Sequence, residues 1–291
     1  METWLLFALS SAVLSAIAAI TQKKILFEVN ALEFSFVVSV FNLILAVPFF
    51  FMFDYSIIQP ASLWVLFAKS IINALAFWCV MLSLKNLDIS AALPLLALTP
   101  GFVAIVAFFM IGEELTIKEI SGLLLLLVGT YIIDMKNNTD LLAPFKAFFG
   151  SKKYYYVFSA LALFTVATVM DKWILKGFKL GLYPFMAFQH LFFALIFLAI
   201  FVIVNKSLIP SKTILSKRNI LLTVLVSFLT IGYRFTQISA VIIAPVALVT
   251  AVKRISVFFA TIAGGKIFNE PHLVRKAIAA GIIVAGTLLI A

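Results

Sequence analysis

Apolar runs of about twenty residues recur along the whole chain, and this constrains its fold more than any other feature. A hydrocarbon core of about 30 Å is crossed by a helix of about 20 apolar residues. Runs of this kind fall at 3–22, 34–53, 62–84, 89–111, 119–134, 155–176, 183–204, 219–242, 245–264 and 274–291. The run at 119–134 is the shortest, yet the stretch Gly122–Gly129 is too apolar for a loop. None of the runs alternates apolar and polar residues at period two, which excludes a membrane β-barrel. Backbone groups in lipid must be satisfied internally, so the runs are predicted to be helices. The expected fold class is an all-α integral membrane protein with ten transmembrane helices.

Composition agrees. Hydrophobic residues make up 64% of the 291 and charged residues 12%, against roughly 45–50% and about 25% in soluble domains. That balance excludes a disordered chain, a disulfide scaffold and an ordinary soluble enzyme. The net charge is +10. On a soluble protein this would point to nucleic acid. Here the charges sit in short connectors, so they read as topology signals and no nucleic-acid partner is expected. The single cysteine, Cys79, lies inside an apolar run and has no intrachain partner. With His190 and His272 as the only histidines, there is no Cys/His cluster for a metal. The first run follows Glu2 with no basic residue before it, so it reads as a membrane span rather than a cleaved leader.

The connector at 135–154 divides the chain into residues 1–134 and 155–291, five runs each. The two parts echo each other. Lys23-Lys24-Ile25-Leu26 matches Lys172-Trp173-Ile174-Leu175 at an offset of 149. Glu113 and Glu270, Thr99 and Ser256, and Gly129-Thr130 and Gly286-Thr287 match at an offset of 157. An odd number of helices in each part inverts the second relative to the first. Inverted repeats with a site at their interface characterise alternating-access transporters.

The echoed motifs, with Phe34-Ser35-Phe36, Tyr183-Pro184-Phe185, Gly112-Glu113-Glu114-Leu115-Thr116 and Asn269-Glu270-Pro271, resemble the EamA-like branch of the drug/metabolite transporter superfamily over nearly the whole chain. The resemblance implies two inverted five-helix repeats, a central cavity and transport of a small metabolite without ATP. Members often carry an arginine in the second and seventh helices; here those neighbourhoods offer Asn42 and His190. If the N-terminus is on side A, the first helix exits on side B. Connectors on side B hold fourteen basic residues, and side A holds four: Lys118, Lys172, Lys176 and Lys179. The positive-inside rule then puts both termini outside, whereas the resemblance implies cytoplasmic termini.

Four basic residues lie inside the runs: Lys69, Arg234, Lys253 and Arg254. Each is costly at mid-bilayer unless it faces protein or water, which makes such residues functional candidates. At 1.5 Å per residue, Lys253 and Arg234 lie about 12 Å from side A, and Lys69 and His190 about 10 Å. Asp171, at about 7 Å by the same rise, is the obvious counter-charge and candidate coupling residue. The excess of cations fits an anionic substrate, because Arg grips carboxylate or phosphate bidentately and Lys acts as a point charge. Lys253-Arg254 also resembles the Lys-Arg pair of the organophosphate-exchanging plastid branch of the superfamily.

Bland readings stand beside these. Lys69 can snorkel to the interface, Arg234 can pair with Asp171, and His190 can be a packed histidine donating to a nearby backbone. Asn42, Asn73, Gln189, Thr230, Tyr233 and Gln237 can complete a pocket or serve as glue between helices. Phe77 and Trp78 read as packing, and Glu113 and Glu270 as caps. Pro94, Pro100 and Pro245 are candidate hinges. Gly122, Gly129, Gly281 and Gly286 suit close packing, within a monomer or between protomers of a homodimer.

The sequence therefore reads as a secondary transporter of a small organic anion in the lipid bilayer of a plasma or inner membrane. No Gly-x-x-x-x-Gly-Lys-Ser/Thr loop, cofactor motif or catalytic constellation is found. The alternatives are an exporter of amino acids or amphipathic compounds, with Asp171 holding an ammonium group, and a head-group flippase or membrane-embedded enzyme.

Overall fold

The computed structural model describes residues 2–87, 96, 99–112, 114–134 and 152–267, with positions 278, 281–282, 285–286 and 289 near the C-terminus. Pro94, Glu113, Glu270, His272, most of the 135–154 connector and most of the predicted tenth run lie outside the described residues. Among the described residues the secondary structure is helical throughout. The helices are α1 Thr3–Leu26, α2 Ala31–Ala46, α3 Pro60–Asn86, α4 Thr99–Ile111, α5 Ile117–Asp134, α6 Lys152–Gly177, α7 Leu182–Asn205, α8 Lys217–Ile243, α9 Val246–Lys253 and α10 Ile255–Ile267.

Seven of the resulting spans are long and apolar enough to cross a membrane, with α2 continued by a 3-10 turn to Phe51 and α9–α10 taken together. The predicted runs at 89–111 and 119–134 are represented by α4, of 13 residues, and α5, of 18. The predicted run at 245–264 is not one continuous α-helix. It breaks at Arg254, whose amide N–H reaches both Thr250 O (3.2 Å) and Ala251 O (2.9 Å) before α10 begins.

Local chemistry sets the helix ends. Asn30 caps α2 by accepting from the Leu32 amide, and Ser216 caps α8 by accepting from the Asn219 amide. Gly112 ends α4 with φ +64°, a conformation glycine adopts without strain. Thr116 and Glu119 then start α5 with a reciprocal capping box: Glu119 Oε2 accepts from the Thr116 amide at 2.8 Å, and the Glu119 amide donates to Thr116 Oγ1 at 3.3 Å. Pro245 caps α9, so it starts that helix rather than bending one in mid-course.

The helices interleave across the chain's midpoint. α1 packs mainly on α8, and α3 mainly on α6. α1 also meets α10 as α6 meets α4, and α2 faces α7. The buried face of α1 is built of Ala8, Ser11, Ala12 and Ala16, small residues that allow close approach. Ser11 Oγ donates to Tyr233 O of α8 at 2.9 Å. Gly286 contacts α5 so closely that a Cβ there would sit 2.8 Å from Gly122 O. That small-residue face is thus used within the chain.

Two lysines counted as connector charges are buried instead. Lys23 of α1 donates through Nζ to Leu84 O (2.5 Å) and Leu87 O (2.8 Å) at the C-terminus of α3. Lys172 of α6 donates to Val241 O (2.6 Å) and Ala244 O (2.8 Å) at the C-terminus of α8. The lysines differ by 149 in number and their acceptors by 157. A helix C-terminus carries unpaired carbonyls and partial negative charge, so a cation there satisfies both.

Two apolar clusters fill the bundle. One includes Leu66, Phe185, Ile238, Val241 and Leu248; the other includes Phe34, Met81, Leu84, Phe197 and Val257. Along α3, α7 and α8 the two are separated by a polar stretch, which forms the site described next.

Candidate functional site

The polar stretch of α8 runs Thr230, Tyr233, Arg234, Gln237, so all four fall on one side of the helix at spacings of three and four. Facing it are Asp171 on α6, Gln189 and His190 on α7, Asn42 on α2, Asn73 on α3, and Thr250, Lys253 and Arg254 where α9 ends. Together they line a cavity of about 130 Å³, below the roughly 300–1,000 Å³ usual for sites that hold drug-sized ligands. Phe77, Phe164 and Phe193 supply its apolar wall.

A single carboxylate organises the cations. Asp171, 2% exposed, receives Lys69 Nζ at 2.5 Å on Oδ1 and Arg234 Nη2 at 3.2 Å on Oδ2. Gln189 Oε1 accepts from the same two cations, at 2.7 Å from Lys69 and 2.6 Å from Arg234. Gln237 Oε1 then accepts from Arg234 Nη1 at 3.0 Å and Lys253 Nζ at 2.6 Å. Lys253 also lies 4.6 Å from the centre of the Tyr233 ring, a cation–π contact. Arg254 Nε is buried and finds no hydrogen-bond partner among the described residues.

Of the site residues expected from sequence, Arg234, Lys253, Arg254, His190, Asn42, Asn73, Gln237, Tyr233 and Asp171 all line this cavity. Lys69 does not. It neither snorkels to an interface nor lines the cavity, but is fully buried behind the wall in its bond to Asp171. Its long stem allowed the interface reading; a buried carboxylate within reach made the inward rotamer better. His190 does not donate to a backbone carbonyl, since both ring nitrogens lack a partner among the described residues. The helical carbonyls around it are already committed to their own ladder. Pro100 and Pro245 lie outside the cavity wall. Phe77, read as packing, faces the cavity, and Thr168 and Thr250 join it without having been singled out. Their helical spacing from Asp171 and Lys253 was the available signal.

The cavity has a direction. Phe77, Phe164, Tyr233, Lys253 and Arg254 also wall a second chamber of about 130 Å³, which continues past Ala19 and Met81 to Gln22 near the end of α1. At the opposite end, a cleft lined by Gly112, Glu114, Lys172 and Pro245 shares no wall residue with the cavity. The boundary falls between Asp171 and Lys172 on α6 and between Gln237 and Ile242 on α8. Near that end Phe49, Tyr183 and Phe235 form a three-ring cluster with centroids 6.0–6.4 Å apart.

Comparison with known proteins agrees with this architecture. A solved crystal structure aligns with 99% of this chain and 98% of its own at 16% identity and a TM-score of 0.67, which establishes a shared fold. No curated protein matches by sequence. Residues 2–135 match the model of the EamA-like transporter family. Seven helices long and apolar enough to cross a membrane, with that match over the first part of the chain, mark an integral multi-pass membrane protein whose residues 2–135 are similar to the EamA-like transporter family.

Proposed function

We propose that the protein carries a small organic anion, a carboxylate or phosphate, by alternating access between two inverted five-helix repeats, 1–134 and 155–291, joined by 135–154. The observation that carries this reading is the imbalance of charge. Arg234, Lys253 and Arg254 line one cavity, Lys69 backs its wall, and Asp171 is the only acidic wall residue among the described residues. Uncompensated cations at this depth are costly, and an anionic cargo supplies the missing charge. Lys253 and Arg254 hold the anion; Arg234, Gln237 and Tyr233 position them.

The repeat reading is supported by the paired lysine caps and the exchanged packing of α1 on α8 and α3 on α6. In the conformation described, the cavity continues toward the end of α1 and stops short of the opposite cleft. Alternating access then consists of parting the Phe49–Tyr183–Phe235 cluster while the far chamber closes. Pro100, Pro245 and the break at Arg254 are the proposed hinges. Against an amino-acid exporter stands the state of Asp171: both its oxygens are taken by Lys69 and Arg234, leaving little to offer an ammonium group.

Uptake into proteoliposomes preloaded with carboxylates, phosphate esters, zwitterions or amines tests the reading. Exchange is expected with anions alone and is lost in Lys253→Ala and Arg254→Ala. Exchange driven by amines or zwitterions, unchanged in both variants, overturns it.

A further inference from the structure

The cavity's cations share three acceptors, but part of its wall is neutral and unpaired. Asn42 is 2% exposed and its Oδ1 has no hydrogen-bond partner among the described residues. His190 is 3% exposed and neither ring nitrogen has one. Both side chains line the cavity, from the neighbouring helices α2 and α7. A buried polar atom left unpaired costs about 1–3 kcal/mol, so such atoms in a native wall call for an explanation in terms of function.

Their chemistry differs from that of the cationic wall. A carboxamide oxygen accepts and does not donate. A neutral imidazole has one N–H donor and one bare nitrogen acceptor. An anionic oxygen would be repelled by the first and by half of the second. A hydroxyl both donates and accepts, so one can donate to Asn42 Oδ1 while accepting the imidazole N–H, and a second can donate to the bare ring nitrogen. Phe77, Phe164 and Phe193 lie on the same cavity wall and can cover the carbon skeleton between charged and hydroxylated ends.

We propose that the site selects hydroxyl-bearing organic anions, with the charged group at Lys253 and Arg254 and a hydroxyl at the Asn42–His190 wall. This rests on the organic-anion reading above and adds to it a second subsite that sets specificity. A wall built to hydrogen-bond a hydroxyl rejects an analogue without one far better than an apolar wall rejects an extra methylene.

The test uses three probes of equal charge and carbon number: propionate, lactate and glycerate, with no, one and two hydroxyls. Dissociation constants are measured by thermal shift on the purified full-length protein, and relative uptake by competition in proteoliposomes. The expected result is at least tenfold tighter binding of lactate or glycerate than of propionate. In Asn42→Leu and His190→Phe the hydroxyl preference falls to about twofold while propionate binding is retained, which a merely structural role would not produce. If propionate binds and the hydroxyls add nothing, the unpaired wall is not a hydroxyl subsite and this inference fails alone. If none of the three binds and the phosphate esters of the exchange assay do not bind either, the organic-anion reading fails and this one with it. If phosphate esters bind equally with and without a hydroxyl, this inference fails alone. Should either variant fail to fold, the ligand series on the unaltered protein still decides.

Discussion

Asp171→Asn keeps the shape of the side chain and removes the carboxylate that two cations share. Lys69 is fully buried and sits 2.5 Å from Asp171 Oδ1; Arg234 sits 3.2 Å from Oδ2. Removing one partner of a buried ion pair destabilises by about 3–5 kcal/mol, mostly because the other charge is left uncompensated. Gln189 Oε1 still accepts from both cations, so a value near the lower end is expected. At roughly 2–4 °C per kcal/mol for chains of this order of size, the melting temperature drops by about 10 °C. Adding Lys69→Met removes the more deeply buried of the two orphaned charges and is expected to recover a large part of that loss. The assay is thermal unfolding in detergent followed by tryptophan fluorescence, for the parent, both single variants and the double, analysed as a cycle. If Asp171→Asn melts within about 2 °C of the parent, or the two effects simply add, Asp171 is not holding a costly buried cation and the reasoning is wrong.

Further outcomes are expected. Lys23→Met and Lys172→Met each remove two charge-assisted bonds to a helix C-terminus, and each should destabilise by about 2–4 kcal/mol in the same melts. Gly286→Leu forces atoms against Gly122 O and should cost at least the 1–3 kcal/mol typical of overpacking, whereas Gly281→Leu, with open space around it, should melt near the parent. Arg218→Ala breaks an ion pair with Glu28 whose side chains are 58% and 43% exposed, and should shift stability by less than about 1 kcal/mol.

The membrane-spanning runs were legible because the bilayer imposes one solution on the backbone. The depth of the cations was legible too, since a fixed rise per residue converts sequence position into height. That arithmetic put Lys69, Arg234, Lys253 and His190 near one depth and Asp171 somewhat shallower. The structure joins all of these but Lys69 in one cavity and leaves Lys69 behind its wall. Partner choice was legible for Arg234, which pairs with Asp171 at 3.2 Å, and not for the lysines. Lys23 and Lys172 sit at the ends of apolar runs, where a connector charge and a buried cap look alike; only the nearby C-termini of α3 and α8 distinguish them. Lys69 was ambiguous for the same reason, because its stem reaches either water or Asp171. The break at Arg254 follows no proline or glycine, so nothing in the pattern announced it. The use of the Gly286 face depends on α5 arriving beside it, a property of the assembled bundle.

The exchanged packing has a consequence for how the protein is made. α1 emerges first from the ribosome, yet its main partners are α8 and α10. Ser11 meets its acceptor on Tyr233 across 222 residues of chain. At roughly 5–20 residues per second, α1 waits about 10–40 s in the bilayer with its small polar face against lipid. During that interval the first five segments hold to one another, among the described residues, through the bonds from Lys23 to α3 and from Lys85 to Val29 O and the packing of α2 on α3, fewer contacts than they make across the midpoint. The nascent protein is therefore expected to stay loosely assembled, and exposed to membrane quality control, until its second part has been inserted.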